Sequence, residues 1–205
     1  MSTQTTLVAT LRTDLHDEDA LAYRWTDLEL QRHLQRAVAE YGNLAPQDYS
    51  VDIAGVDGQY VYSLATPAGA LFTVIERVEY PQGENPPAFV AWELRGTDIT
   101  LRVDTAPVAG YTVRVHGGQA HVVDGAGSTI PAVDERVVLL GAQAYALAAW
   151  SLYAVNRVAN SPKAQEQAEK AAYSLRRQFE TDLARLRKER TQLLPSRVAL
   201  TGYEI

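Results

Sequence analysis

The side chains able to do chemistry near neutral pH are few. The chain has four histidines and no cysteine, so thiolate zinc sites, disulfides and a thiol nucleophile are excluded. None of His16, His33, His116 and His121 falls in an H-E-x-x-H spacing. His116 and His121 flank Gly117-Gly118, which reads as a turn that would set the two rings across a hairpin. No carboxylate lies close by in sequence, so a solvated pair is expected and not a metal site. His16-Asp17-Glu18-Asp19 lacks the alternating ligands and pivotal glycine of a calcium loop, and reads as a solvated acidic turn. Glu76 and Glu79 are three apart on a strand-like run, which sends them to opposite faces. The glycine-rich "GGQAHVVDGAGST" matches neither a phosphate-binding loop nor a dinucleotide fingerprint, and reads as a flexible connection. There is no G-x-S-x-G elbow. The expectation is no enzyme, no metal and no cofactor.

Composition narrows the classes further. With 46% hydrophobic residues the chain can bury a core. The start "MSTQTTLVATLRTD" has no apolar signal-peptide segment, and the missing cysteines fit a reducing compartment. The uncharged run Val137 to Val155 has the length of a membrane span, but six alanines, Gln143, Ser151 and two tyrosines favour a buried central helix and no membrane partner. Charge is segregated. Residues 1–45 carry 4 basic and 7 acidic groups, residues 46–130 carry 4 and 10, and residues 161–205 carry 9 and 6. An acidic middle opposes tight binding of nucleic acid, which needs phosphate neutralisation. Opposite charge at the two ends suits attraction between copies.

The elements that must carry these residues follow from periodicity. Leu7, Val8, Leu11 and Leu15 predict a first helix over Thr5 to Leu15. Thr26 with Glu29 forms a capping box for a second helix, and Trp25 with Leu30 a hydrophobic staple. Its buried stripe is Leu30, Leu34, Ala37 or Val38, and Tyr41; Gly42-Asn43 reads as its stop. From Tyr49 to about Val123 the period becomes two, in seven short strand-like runs ending with "QAHVV". A third helix follows Pro131 to about Val158. A fourth runs from Pro162, capped by Ser161, to about Leu193, with a stripe of Ala168, Ala172, Leu175, Phe179, Leu183, Leu186 and Leu193. Its basic residues alternate with acids and read as a solvated or subunit-contacting face.

The fold class expected is α+β: a four-helix bundle of two N-terminal and two C-terminal helices, with an antiparallel β sandwich or barrel inserted between helices 2 and 3. The expected boundaries are 1–46, 47–127 and 128–194, followed by an extended tail at 195–205.

The run "LRTDLHDEDALAYRWTDLELQRHLQRAVAEY" resembles the opening of tailed-bacteriophage head–tail connector proteins, or adaptors. In these an N-terminal helix, an acidic loop, an aromatic-Arg-Trp-Ser/Thr-Asp entry and a second helix recur. The Ala-rich third helix and long charged last helix are similar to that group too; the β region is larger than in its smallest members. The resemblance implies a virion structural protein of the neck, made in the host cytoplasm. It implies a ring, typically dodecameric, beneath the portal, which extends the DNA channel and meets the tail or the next neck protein. Packaged DNA would pass through without specific binding. It points to subunit or portal contacts at Arg24 and Trp25 and in the tail at Arg197, Val198, Leu200, Tyr203 and Ile205. Arg24 is expected to pair with the Asp17–Asp19 loop. Glu76, Glu79 and Glu84 of the acidic β region are expected to line the channel. A tail-completion or other neck protein is the alternative, ahead of a cellular binding module or enzyme.

Overall fold

A computed structural model describes residues 2–65, 72–155 and 162–193. Among these the order is α1 (Gln4–Asp14), α2 (Asp27–Leu44), β1 (Gln47–Ala54), β2 (Val61–Ser63), β3 (Phe72–Glu79), β4 (Phe89–Arg95), β5 (Asp98–Arg102), β6 (Thr112–Gln119), α3 (Glu135–Val155) and α4 (Pro162–Leu193). The class is α+β, with the strands inserted between α2 and α3. Two compact units divide the chain, one helical (residues 1–45 and 121–193) and one built on residues 46–120.

In the helical unit all four helices share one core. Leu7, Val8 and Leu11 of α1 meet Leu30, Leu34, Val38 and Tyr41 of α2, Val138, Ala142 and Tyr145 of α3, and Phe179 and Leu183 of α4. These positions recur at three and four residues, so each helix turns one face inward. Gly141 makes room for Phe179: a Cβ there would sit 2.8 Å from the ring tip. The 32-residue α4 is roughly 48 Å long, and Ala168, Ala172, Phe179 and Leu183 are buried among its described side chains. Leu175 and Leu186 of the expected stripe are half-buried. The cap at Ser161, the end of α3 past Val155, the Leu193 side chain and the tail lie outside the described residues.

The β unit is a single antiparallel sheet in the order β1-β6-β3-β4-β5-β2. Val113 and Val115 of β6, Val78 of β3, Ile99 and Leu101 of β5, and Tyr62 of β2 all enter one cluster. Strands from opposite ends of the order share that cluster, so the sheet curls into a half-barrel, open between β1 and β2. The expectation of an antiparallel sandwich or barrel is met in part: the strands form one half-barrel sheet and not a sandwich.

Three local expectations are corrected. Gly117-Gly118 is no turn; both residues lie within β6, paired with β1 on one side and β3 on the other. A Cβ on Gly117 would meet the Val74 carbonyl oxygen at 2.1 Å, and one on Gly118 would meet Pro46 at 2.6 Å. These glycines permit close approach beside the register shifts of β3, a use glycine has in strands. "QAHVV" is not a separate strand: residues 121–123 join the helical unit, where Val123 is in the core. Gly42-Asn43 does not end α2. The helix runs on to Leu44, the Ala45 N–H donates to the Tyr41 carbonyl at 2.8 Å, and His121 Nε2 lies 2.9 Å from the Ala45 carbonyl. His121 is therefore in the helical unit and not across a hairpin from His116.

Candidate functional site

The α1–α2 connection is organised by a residue that sequence reasoning passed over. Arg12 is buried on α1. Its Nη1 donates to Asp17 Oδ2 at 2.7 Å; its Nη2 donates to the Trp25 carbonyl at 2.9 Å and to Asp27 Oδ1 at 2.7 Å. Its guanidinium also lies 3.8 Å from the Tyr23 ring centroid, a cation–π contact. Asp17 is equally engaged. Its oxygens accept from the Arg24 N–H at 2.7 Å and the Trp25 N–H at 3.3 Å. Asp17 is thus a buried, fully bonded carboxylate, the exception in a turn whose His16, Glu18 and Asp19 are exposed as expected.

The loop turns through His16, whose φ of 51° is left-handed. Asp19 Oδ1 accepts from the Leu21 N–H at 3.0 Å. Beyond the loop, Thr26 and Glu29 make the reciprocal capping box, which holds the Glu29 carboxyl below its ordinary range, chiefly through the Thr26 N–H. Trp25 and Leu30 both enter the core. The signal for Arg12 was present: it stands four residues after Val8 and three before Leu15, on the apolar stripe of α1. A cation there requires a buried partner.

Arg24 does not pair with the acidic loop through its side chain. It gives Asp17 only its backbone N–H, and its guanidinium lies 5.9 Å from the Trp150 ring. The side-chain ion pair expected of Arg24 is made by Arg12 of α1. Trp25 is 4% exposed and is a core residue of its own chain. What the clamped segment turns outward is apolar: Leu21 is 99% exposed, Leu28 77%, and Tyr23 partly.

A second polar knot ties α4 to α2 and α3. Arg36 and Arg176 lie 4.1 Å and 4.9 Å from the Tyr145 ring centroid. Glu40 meets Arg36 at 3.7 Å and Arg176 at 3.5 Å. Burial, with the Glu40 carboxylate nearby, pushes the Tyr145 phenol up to about 12. Past this knot, Asn43, Leu44, Leu183, Ala184 and Arg187 line an open groove of about 410 Å3 between the last turn of α2 and α4.

In the β unit Glu79 is buried. Its Oε1 accepts from the Gly83 N–H at 2.8 Å, and its Oε2 lies 3.3 Å from His116 Nε2. The Gly83 bond first, then His116, holds its carboxyl below the ordinary range. Glu79 therefore presents no carboxylate outward. Glu76 is half-buried and Glu84 exposed. Asp48, Ser50, Glu76, Arg77 and His116 line a shallow cleft of about 240 Å3, whose mixed charges favour neither an anion nor a cation. Among the described residues no three His, Asp or Glu side chains gather to hold a metal. No described helix is long and apolar enough to cross a membrane. Arg197, Val198, Leu200, Tyr203 and Ile205 lie outside the described residues.

No family model matches the chain, and no curated protein does. A solved structure described as the neck of an empty GTA particle, computed with C6 symmetry, contains a similar chain. The match covers 67% of this chain and 76% of that one, at 19% identity and a TM-score of 0.27. Among the described residues of the helical unit, Leu21, Leu28, Val133, Leu152 and Tyr173 are apolar side chains that its core leaves exposed.

Proposed function

We propose that the chain is a structural subunit of the neck of a phage-type particle, a ring component that sits beneath the portal, continues the DNA channel and joins head to tail. The observation that carries this reading is the Arg12–Asp17–Asp27 clamp. Buried Arg12 and Asp17, with Asp27 at the surface end of the network, tie the loop down, and the loop so held displays Leu21 and Leu28 to solvent. A protein acting alone gains nothing by fixing apolar side chains in water, whereas an assembling subunit presents a preformed contact. The segment so fixed is the one that resembles connector proteins. The acidic balance of residues 46–130 suits a wall that DNA passes without being gripped, with Glu76 and Glu84 along the channel. The tail, through Arg197, Val198, Leu200, Tyr203 and Ile205, would reach the portal or a neighbouring copy, and the other end the tail or next neck protein.

Electron micrographs of the chain mixed with the portal rings of its own particle test this. A ring of density added to one end of each portal is expected. Portals left bare at saturating concentrations overturn the reading, and density located on the tail tip instead makes it a tail-completion protein.

A further inference from the structure

We infer that residues 198–205 of one copy add as a strand to the outer edge of β1 in the next copy; this rests on the ring reading above. β1 stands at one end of the sheet order, and its ladder is paired on one side only, to β6. No described strand meets the other side of residues 49–54. At the opposite end of the order β2 has three residues, whereas β1 has eight. A long sheet edge is a template for another chain, and proteins guard it with lysine, proline or a bulge. β1 holds neither lysine nor proline, and its register with β6 is unbroken. Its Asp52 is tied back to Arg114 of β6 at 2.6 Å and does not guard the edge.

The sequence supplies a segment of matching length and pattern. Residues 198–205 read Val-Ala-Leu-Thr-Gly-Tyr-Glu-Ile, a run rich in strand-forming side chains. Val198 and Leu200 alternate, and so do Tyr203 and Ile205, but the two pairs are out of phase by one residue. Gly202 stands between them, and an isolated glycine in such a pattern marks a bulge. One extra residue there brings all four apolar side chains to the same face. On β1 the inward face carries Tyr49, Val51 and Ile53, alternating with exposed Ser50, Asp52 and Ala54, and Ile53 packs against the core cluster of the β unit. The half-barrel is open between β1 and β2, so a strand laid on β1 continues the curl with its apolar face inward. Main-chain hydrogen bonds give an added strand its affinity, and alternate side chains its register. Pairing β1 with a second β1 would be isologous and would stop at a dimer. A segment of one copy on the edge of the next is heterologous: each copy gives one strand and receives one, which closes a ring.

Amide hydrogen exchange on the full chain tests this. In the assembled parent, the amides of residues 49–54 that face away from β6 are expected to be protected. Leu200→Pro/Tyr203→Pro removes backbone donors from the added strand. It is expected to lose that protection, and with it self-association in sedimentation. Two single-residue deletions separate pairing from length. Without Gly202 the four apolar residues alternate strictly, so protection is expected to stay. Without Ala199, Val198 and Leu200 fall on opposite faces, so it is expected to go. The source of the strand is read by mixing the isotope-labelled proline variant, whose β1 is intact, with excess unlabelled parent. The unlabelled parent is expected to protect the labelled β1. Equal exchange in parent and proline variant, or equal behaviour of the two deletions, overturns the contact. So does a labelled edge that the unlabelled parent leaves open, since the strand would then come from its own copy. An edge protected only when portal rings are added makes the portal the partner and also overturns it. If the parent still adds rings to portals while β1 stays unprotected, this contact is wrong and the neck reading stands. If there are neither rings nor protection, both fail.

Discussion

Arg12 and Asp17 form a buried ion pair at 2.7 Å, with side chains 10% and 3% exposed. The pair closes the α1–α2 loop, and neither member has water to fall back on. Removing one partner leaves the other charge buried and uncompensated, which typically costs about 3–5 kcal/mol. Arg12→Leu is therefore expected to destabilise the helical unit by about that amount, read from urea denaturation. Asp17→Asn keeps an acceptor for the Arg24 N–H but loses the charge, and is expected to cost less. The double variant Arg12→Leu/Asp17→Asn should lie closer to Arg12→Leu than to the sum of the two. Additive losses would mean that the network is not a unit.

The cap of α2 gives a smaller, local effect. Thr26 Oγ1 accepts from the Glu29 N–H at 3.3 Å, and Glu29 Oε2 accepts from the Thr26 N–H at 2.8 Å. Thr26→Ala is expected to cost about 1 kcal/mol. Thr26→Ser should restore most of it, since the hydroxyl and not the methyl caps the helix. Thermal unfolding followed by circular dichroism measures both.

Gly117 and Gly125 separate a glycine that the fold requires from one it does not. A methyl on Gly117 would lie 2.1 Å from a backbone oxygen that cannot swing aside, while one on Gly125 would meet nothing within 4 Å. Gly117→Ala is expected to destabilise the β unit by about 3 kcal/mol or more. Gly125→Ala should stay within about 0.5 kcal/mol of the parent. Denaturant midpoints of the two variants, measured side by side, decide it.

These positions also mark how far the sequence could be read. Thr26-x-x-Glu29, the Trp25/Leu30 spacing and the periodicity of α4 are local patterns, and the α2 start and α4 bounds are where those patterns put them. Gly117-Gly118 misled because glycine serves turns and close strand approach alike, and only the neighbouring β3 decides between them. The strand order β1-β6-β3-β4-β5-β2 depends on pairings between distant runs, which no local pattern encodes. Arg12 was legible as a cation on an apolar stripe, but its partners are five, thirteen and fifteen residues away. Arg12 and Arg24 stand equally far from the Asp17–Asp19 loop in sequence, on either side of it, so only the fold decides between them. The α2/α4 groove has no sequence signature, since it is a gap between two helices.

His33 supplies the pH dependence. It is buried on the core face of α2, and its Nε2 has no hydrogen-bond partner among the described residues. Burial first, then the nearby Arg32 charge, lowers its pKa below the ordinary 6.5. Above pH 6.5 the ring is neutral in folded and unfolded chains alike. As the pH falls below that value the unfolded chain takes up a proton that the folded chain resists, so stability declines until the folded value is reached. Glu29, Glu79 and Asp52, whose pKa values are lowered from 4.5, 4.5 and 3.8, add their losses only at lower pH. Between pH 7 and 5 the decline is therefore expected to come chiefly from His33. His33→Leu should flatten it and, by removing an unsatisfied buried nitrogen, raise stability at pH 8 by about 1 kcal/mol. Urea titrations of parent and variant at pH 5, 6, 7 and 8 check both statements, and parallel pH profiles would show that His33 is not the group being titrated.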